Sequence, residues 1–300
     1  DTDIAAMNGD ADGFGTADII YGGNVGKWQK FANSLRLKLA MVIADVDPGT
    51  AGAKIAASAA LPLITANADN ALFKYVGAPN NNPLSNDVPP RSARQDFVMA
   101  NTLVDEMNTL NDPRRAAYFT TVGGEYVGGK YGFSNVYANF STFSTKVTAT
   151  TFPGNMLDAS EVNFLLAEAV ERGFITGDAK SYYDAAITAS LAYWGVTGVE
   201  DYLAQATVDY SNAGSGASWQ EKIGTQKWIA LYNRGFDAWT EWRRLDFPVL
   251  VAPDASGVPP IPKRLIYPII ENSLNAANTK AAAAAIGGDD SATRLFWDVK

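Results

Sequence analysis

Residues 158–195 read DASEVNFLLAEAVERGFITGDAKSYYDAAITASLAYWG. Asp158 stands at a helix N-cap position, and Val162, Leu165, Leu166, Ala169 and Val170 recur at the spacing of one helical face. Gly173 supplies a left-handed end. Asp178 opens a second helix whose stripe is Tyr182 or Tyr183, Ala186, Ile187, Leu191 and Trp194, with Gly195 closing it. Only Phe174 to Gly177 separate the two, so they fold back as an antiparallel hairpin. The Ala-Glu-Ala, Gly and Tyr spacing has the flavour of a tetratricopeptide unit, although one degenerate copy does not establish an array. The expected fold class is mainly α.

Downstream, Thr197 with Glu200 and Ser218 with Glu221 form capping-box patterns. The second opens a helix through Ile223, Trp228, Ile229 and Tyr232, and Gly235 breaks it before Phe236 to Leu245, giving a helical core over 158–246. Prolines then recur from Pro248 to Pro268, which predicts a tail extended over the surface instead of further helices. Upstream, Trp28, Phe31, Leu35, Leu39 and Val42 mark a helix from Lys27, and Thr50 to Ala60 a second. Residues 66–90 read as an ordered surface loop. Ser92 and Gln95 then cap a helix with the stripe Phe97, Ala100, Val104, Met107 and Leu110, ending at Asn111-Asp112-Pro113. Residues 1–26 are turn-rich loop, and 118–152 form a loop-rich insertion with weak strand patterning at Lys146 to Thr151.

Composition narrows the chemistry. The chain has 300 residues, 47% hydrophobic and 19% charged, enough for a sizeable core. No run of 18 apolar residues occurs, so no membrane span is expected. With 24 Lys+Arg against 32 Asp+Glu the net charge is −8, the wrong sign for a phosphate backbone, so nucleic acid is not an expected partner. His and Cys are both absent, which removes imidazole bases, thiolate nucleophiles and His/Cys zinc sites. Carboxylates, Lys and Tyr remain, with 7 Trp, 13 Tyr and 14 Phe as flat apolar faces.

Outside the hairpin, Ile223-Gly224-Thr225-Gln226-Lys227-Trp228-Ile229-Ala230-Leu231-Tyr232, then Ala238-Trp239-Thr240-Glu241-Trp242-Arg243-Arg244 and Phe247-Pro248, carry a specific pattern. It resembles the SusD/RagB family. Ile261-Pro262-Lys263-Arg264-Leu265-Ile266-Tyr267-Pro268 is similar to that family's closing signature, with Glu271 and Asn275 after it and Phe296-Trp297-Asp298 near its terminus. Upstream, Lys27 to Arg36, Asp112-Pro113-Arg114 and Asn163 to Ala169 match family positions in the same order. The resemblance implies a SusD-like fold with tetratricopeptide-like helical pairs and long irregular loops, as a single domain over 1–300. It also implies a lipoprotein of the outer membrane, exposed at the cell surface of Bacteroidetes-type bacteria. Its partner would be a SusC-like TonB-dependent transporter, which it would cover as a lid while capturing oligosaccharide without cleaving it. A lipoprotein signal, a lipidated Cys and further helices are implied ahead of Asp1, so the N-terminal family region is expected to lie outside these residues, and the membrane contact with it.

Within this reading Trp228, Trp239, Trp242, Glu241, Arg243 and Arg244, at helical spacing, are expected in the core and in buried ion pairs. The glycine-rich loop offers no helical face to hide its aromatics, and sugar rings present C–H faces that stack on them. Tyr126, Tyr131, Phe133 and Tyr137 are the expected ligand platform, with Lys130 and Asn135 as donors, packing being the equal alternative. Asn8-x-Asp10-x-Asp12-Gly13 resembles half a calcium loop, but Ile19 stands where the closing Glu should be and Gly15 at the eighth position. No cofactor is assigned, with calcium against a plain turn left open. A peptide-binding lid of the same fold, a glycoside hydrolase with two facing carboxylates and a helical adaptor for proteins are the alternatives.

Overall fold

The computed structural model describes residues 1–7, 11, 13–253 and 260–300. Its first half comprises α1 (Thr2–Ala6), α2 (Val25–Val42), α3 (Pro48–Ala59), β1 (Ala71–Phe73), α4 (Pro83–Asp87), α5 (Asn101–Thr109) and α6 (Arg115–Tyr118). After β2 (Gly154–Leu157) follow α7 (Ala159–Glu171), α8 (Ala179–Trp194), α9 (Val199–Leu203), α10 (Trp219–Ala230), α11 (Gly235–Leu245), α12 (Ile269–Leu274) and α13 (Ala276–Ala285). The fold is mainly α and built from pairs: α2 with α3, α7 with α8, α10 with α11. The small sheet pairs β1 antiparallel to β2, with Ala71 opposite Leu157 and Phe73 opposite Gly154.

The central hairpin forms as its caps dictate. Asp158 Oδ1 accepts from Glu161 N at 2.8 Å, and both Asp178 carboxylate oxygens accept from the first turn of α8. Gly173 and Gly195 end their helices at φ +70°. Every residue of α7 from Ala159 to Ala169 is buried, because two cores meet on it. Val162, Leu165 and Leu166 join Leu37, Met41, Ile55 and Ile64 on one side. Phe164 and Ala167 join Met107, Tyr118, Tyr183, Ile187 and Ile229 on the other.

A helix buried all round leaves Glu161 and Glu168 away from water, where an unpaired carboxylate is strongly unfavourable. Lys38 Nζ lies 2.9 Å from Glu161, and Arg234 pairs with its other oxygen. Glu168 takes Arg172 Nε at 2.7 Å and Arg244 Nη2 at 2.6 Å. Arg244 also reaches Glu241, which takes Lys227 at 2.8 Å. The expected ion pairs of Glu241 and Arg244 are therefore formed, Arg244 tying α11 to α7 and Lys227 tying α10 to α11, whereas Arg243, expected among them, meets carbonyl and hydroxyl oxygens and no carboxylate among the described residues.

Several expectations need correction. Helix α5 starts at Asn101, not Ser92, and Phe97 is 40% exposed. Met99 N, Gly129 N and Asn101 N instead donate to Ser141 O, Met99 O and Gly129 O, each at 2.8 Å, so ladder-like pairing with a distant loop displaces the first helical turns. On α2 the buried row is Asn33, Ser34, Leu37, Ala40 and Met41 under α3, while Leu39 is 60% exposed. Trp28, Phe31, Leu35 and Leu39 line a groove of about 680 Å³ with Ile4 and Met7. The Thr197 box is not formed, since Gly198 at φ +81° caps α9 without a side chain. Residues 146–151 make turns, and the strands lie at 71–73 and 154–157. Residues 1–26 include α1 and the start of α2. The tail is extended up to Pro268 among its described residues, but α12 and the alanine-rich α13 follow, as the high helix propensity of alanine favours.

Candidate functional site

The 118–143 segment is irregular but tied along its length. Thr120 N donates to Thr142 O at 2.9 Å, and Ser141 N to Val127 O at 2.8 Å. Its two limbs clasp Met99 to Asn101, the entry to α5. Gly128 passes so close to the Asn101 backbone that a Cβ there would overlap its Cα. The loop is thereby carried over the N-terminal end of α5.

A cleft of about 270 Å³ opens where this loop, α5 and the strap of residues 248–253 converge. Asn101, Thr102 and Glu106 come from α5, Lys130 and Tyr131 from the loop, and Val249, Leu250 and Val251 from the strap. An apolar wall facing a few convergent polar groups is the usual make-up of a small-ligand site. Asn101 Oδ1 accepts from Tyr131 N at 3.4 Å. The Tyr131 hydroxyl is buried and has no hydrogen-bond partner among the described residues. Burial, with the negative charge of Glu221 added, pushes the Glu106 carboxyl up from its ordinary value. Among the described residues the cleft lining holds one carboxylate, Glu106, and Glu221 is turned to the Ala217 amide at 2.7 Å. These described residues can therefore bind polar groups, and they do not include the facing pair of carboxylates that glycoside hydrolysis uses.

The strap is positioned by α11. Trp242 Nε1 donates to Pro248 O at 3.1 Å and Trp239 Nε1 to Pro262 O at 2.9 Å. Arg243 lies over both Trp239 and Trp297 and donates to Lys263 O at 2.6 Å. Gly132, at φ +79°, meets Pro253 on the loop side, and a Cβ there would lie 2.6 Å from Pro253 Cβ. Gly132→Ala is expected to lower stability by about 1–2 kcal/mol from backbone strain and to displace the strap as well. Gly123→Ala, at φ +61° with open space around it, carries the strain alone. Denaturant unfolding and ligand titration of the two variants separate these effects, and only Gly132→Ala should weaken binding.

The six expected ligand residues do not form one platform. Lys130 and Tyr131 line the cleft. Tyr126 packs against the core beneath Arg115, 5.3 Å from its ring centroid. Phe133 is 41% exposed and covered on one face by Lys130 Nζ at 4.1 Å. Asn135 Nδ2 donates to the carbonyls of Lys130 and Phe133, so it shapes the loop. Tyr137 lies in a separate crevice with Val88, Pro89, Arg94 and Phe97. Asn101, Thr102, Glu106 and the strap were not anticipated, because they sit among ordinary helical and proline-rich sequence with no motif to mark them. Trp228, Trp239 and Trp242 line a neighbouring apolar recess of about 270 Å³ with Leu103, Leu250 and Ile261. The calcium-like Asn8, Asp10 and Asp12 lie outside the described residues, among which no group of three His, Cys, Asp or Glu is placed to hold a metal. Among the described residues no helix is long and apolar enough to cross a membrane.

Residues 1–268 match the family SusD-like_2, described as "Starch-binding associating with outer membrane". Among solved structures, a SusD homolog from Bacteroides uniformis ATCC 8492 is 32% identical with a TM-score of 0.88, over 100% of this chain and 70% of that one. A SusD homolog from Bacteroides ovatus ATCC 8483 is 30% identical with a TM-score of 0.86, over 100% and 71%. A chitin-binding SusD homolog from Flavobacterium johnsoniae is 28% identical with a TM-score of 0.85, over 100% and 70%. No curated protein matches the chain.

Proposed function

The chain belongs to the SusD-like family of proteins associated with starch binding at the outer membrane, and from that premise we propose that it captures oligosaccharide at the cell surface as the lid of a SusC-like TonB-dependent transporter. In this reading a lipid anchor outside these residues holds it to the outer membrane, and the bound chain is handed to the barrel without bond cleavage. The observation that carries the proposal is the cleft between α5, the Lys130–Tyr131 loop and the strap. Its apolar wall suits the C–H face of a sugar ring, while Asn101, Thr102, Glu106 and Tyr131 suit the hydroxyl edge. A relative described as chitin-binding supports a carbohydrate ligand for this fold.

Calorimetric titration with neutral oligosaccharides tests the reading. Tyr131→Ala is expected to weaken binding about tenfold, the effect of losing one aromatic contact. Tyr137→Ala, in its separate crevice, should stay within about twofold. A failure of every oligosaccharide to bind, or the release of reducing ends on incubation, would overturn the proposal. Extraction of the native complex should bring down a large barrel protein with the chain, and recovery of the chain alone would remove the transporter from it.

A further inference from the structure

Two arginines, Arg172 and Arg243, lie over indole rings, and their charges are answered in different ways. Arg172, 5.2 Å from the Trp219 ring centroid, is paired with the carboxylates of Asp45 and Glu168, each at 2.7 Å. Arg243, only 5% exposed, has no such pair among the described residues. Its Nε donates to Trp239 O at 3.2 Å, its Nη2 to Thr240 Oγ1 at 3.2 Å and its Nη1 to Lys263 O at 2.6 Å. Asp298 acts on it through space, without a hydrogen bond. A buried cation needs more than dipoles around it, and here two aromatic faces supply the rest: Trp239 at 3.9 Å and the buried Trp297 at 4.8 Å. The segment that Arg243 holds is pinned on its other side as well, since Lys263 N and Arg264 N donate to Ser291 O at 2.7 and 3.2 Å. Pro262, just before it, is the second tether of the strap. Ile261 lines the tryptophan recess together with Leu250, which also lines the cleft.

We propose that Trp297 is a positioning residue for the second tether of the strap: its indole face holds the Arg243 guanidinium in place, and Arg243 in turn fixes the Lys263 carbonyl beside Pro262. Without that face the guanidinium is better solvated by turning outward to water, and it lets go of the carbonyl as it does. The consequence for binding, a less firmly held cleft wall, rests on the oligosaccharide reading. The consequence for residues 262–264 does not.

Trp297→Leu keeps an apolar side chain but removes the aromatic face, and Trp297→Phe keeps a face. Hydrogen exchange on the 300-residue chain reads the tether directly, through the Lys263 and Arg264 amides bonded to Ser291 O. In Trp297→Leu both are expected to exchange about tenfold faster, the scale of one desolvated cation–π contact. That increase is counted beyond any seen in the amides of α7, which report overall stability. Trp297→Phe should return the two amides to within about threefold of the unmodified chain. Trp219→Leu is the control, because Arg172 keeps its two carboxylates, and should leave both amides unchanged beyond the same α7 reference. Titration with an N-acetylglucosamine tetramer and with maltotetraose should show whichever binds the unmodified chain held about fivefold more weakly by Trp297→Leu. Unchanged exchange at Lys263 and Arg264 in Trp297→Leu, or an increase that Trp297→Phe does not reverse, overturns the inference and leaves the oligosaccharide reading standing. Faster exchange with unaltered sugar affinity supports the tether and removes its consequence for the cleft. If neither sugar binds the unmodified chain, the oligosaccharide reading loses its support and the exchange rates alone decide the role of Trp297.

Discussion

Arg114→Met lowers the unfolding free energy by about 3–5 kcal/mol, the expected loss when one partner of a fully buried ion pair is removed. Asp112 and Arg114 are both completely inaccessible to solvent. Arg114 Nε donates to Asp112 Oδ1 at 2.9 Å, its Nη1 to Ser190 at 3.0 Å and its Nη2 to Gln226 at 2.9 Å. Tyr202 donates its hydroxyl to Asp112 Oδ2 at 2.9 Å and accepts from Gln226 Nε2 at 2.9 Å. One guanidinium thus joins the turn before α6 to α8, α9 and α10. Methionine fills similar volume but leaves Asp112 as a buried charge and Gln226 short of a donor. Urea unfolding should show the midpoint fall with little change of slope. Arg94→Met is the control, because the Arg94–Asp96 pair is exposed on both sides and should give no measurable change. Replacing Asp112 by asparagine alongside Arg114→Met should recover part of the loss. A single variant as stable as the unmodified chain would show that the pair contributes nothing.

Acid should unfold the protein from about pH 4.5 downward, and Glu161 sets much of that dependence. Burial alone would raise its carboxyl, but the charges of Arg234, Lys38 and Lys227 outweigh it and hold the group at about 2. Glu168 and Glu241 are likewise held below their ordinary value: burial raises both, and the cations, led by Arg244, outweigh it. A carboxyl lowered in the folded state contributes stability that is complete above its unfolded value of about 4.3 and is lost as pH falls through the folded one. For Glu161 that contribution is about 3 kcal/mol, and it disappears between about pH 4.5 and 2. Stability measured by urea across that range should fall steeply. Glu161→Gln should be less stable at neutral pH and show a flatter fall. An unaltered slope in the variant would mean that Glu161 does not carry the dependence.

The helices that were legible in advance are those whose caps and stripes lie within a few residues of each other. Asp158, Gly173, Asp178 and Gly195 bound α7 and α8 where their sequence places them. The misread start of α5 has a different cause: its backbone partners, Gly129 and Ser141, are some thirty and forty residues away, beyond any local pattern. The exposed row of α2 shows the same limit, since periodicity identifies a stripe but not which neighbour covers it. At the candidate site, composition pointed to the aromatic loop and so to Lys130 and Tyr131. It could not point to Glu106, whose character arises from burial and from Glu221, more than a hundred positions along the chain. In the family motif of α11, Glu241, Trp242 and Arg244 were readable as core and ion pair, whereas half-buried Trp239 lines a recess and Arg243 takes no carboxylate among the described residues; the motif's further task of holding the strap became visible only through the two indole nitrogens.

Those two indole tethers end on main-chain carbonyls, Pro248 O and Pro262 O. A carbonyl is the same acceptor whatever side chain accompanies it, so the anchorage is indifferent to the sequence of Val249, Leu250, Val251 and Ala252. One wall of the cleft can therefore change its chemistry while the scaffold that presents it stays as it is. Grafting a strap with different side chains between the same anchors would be a direct route to new ligand preferences on an unaltered fold.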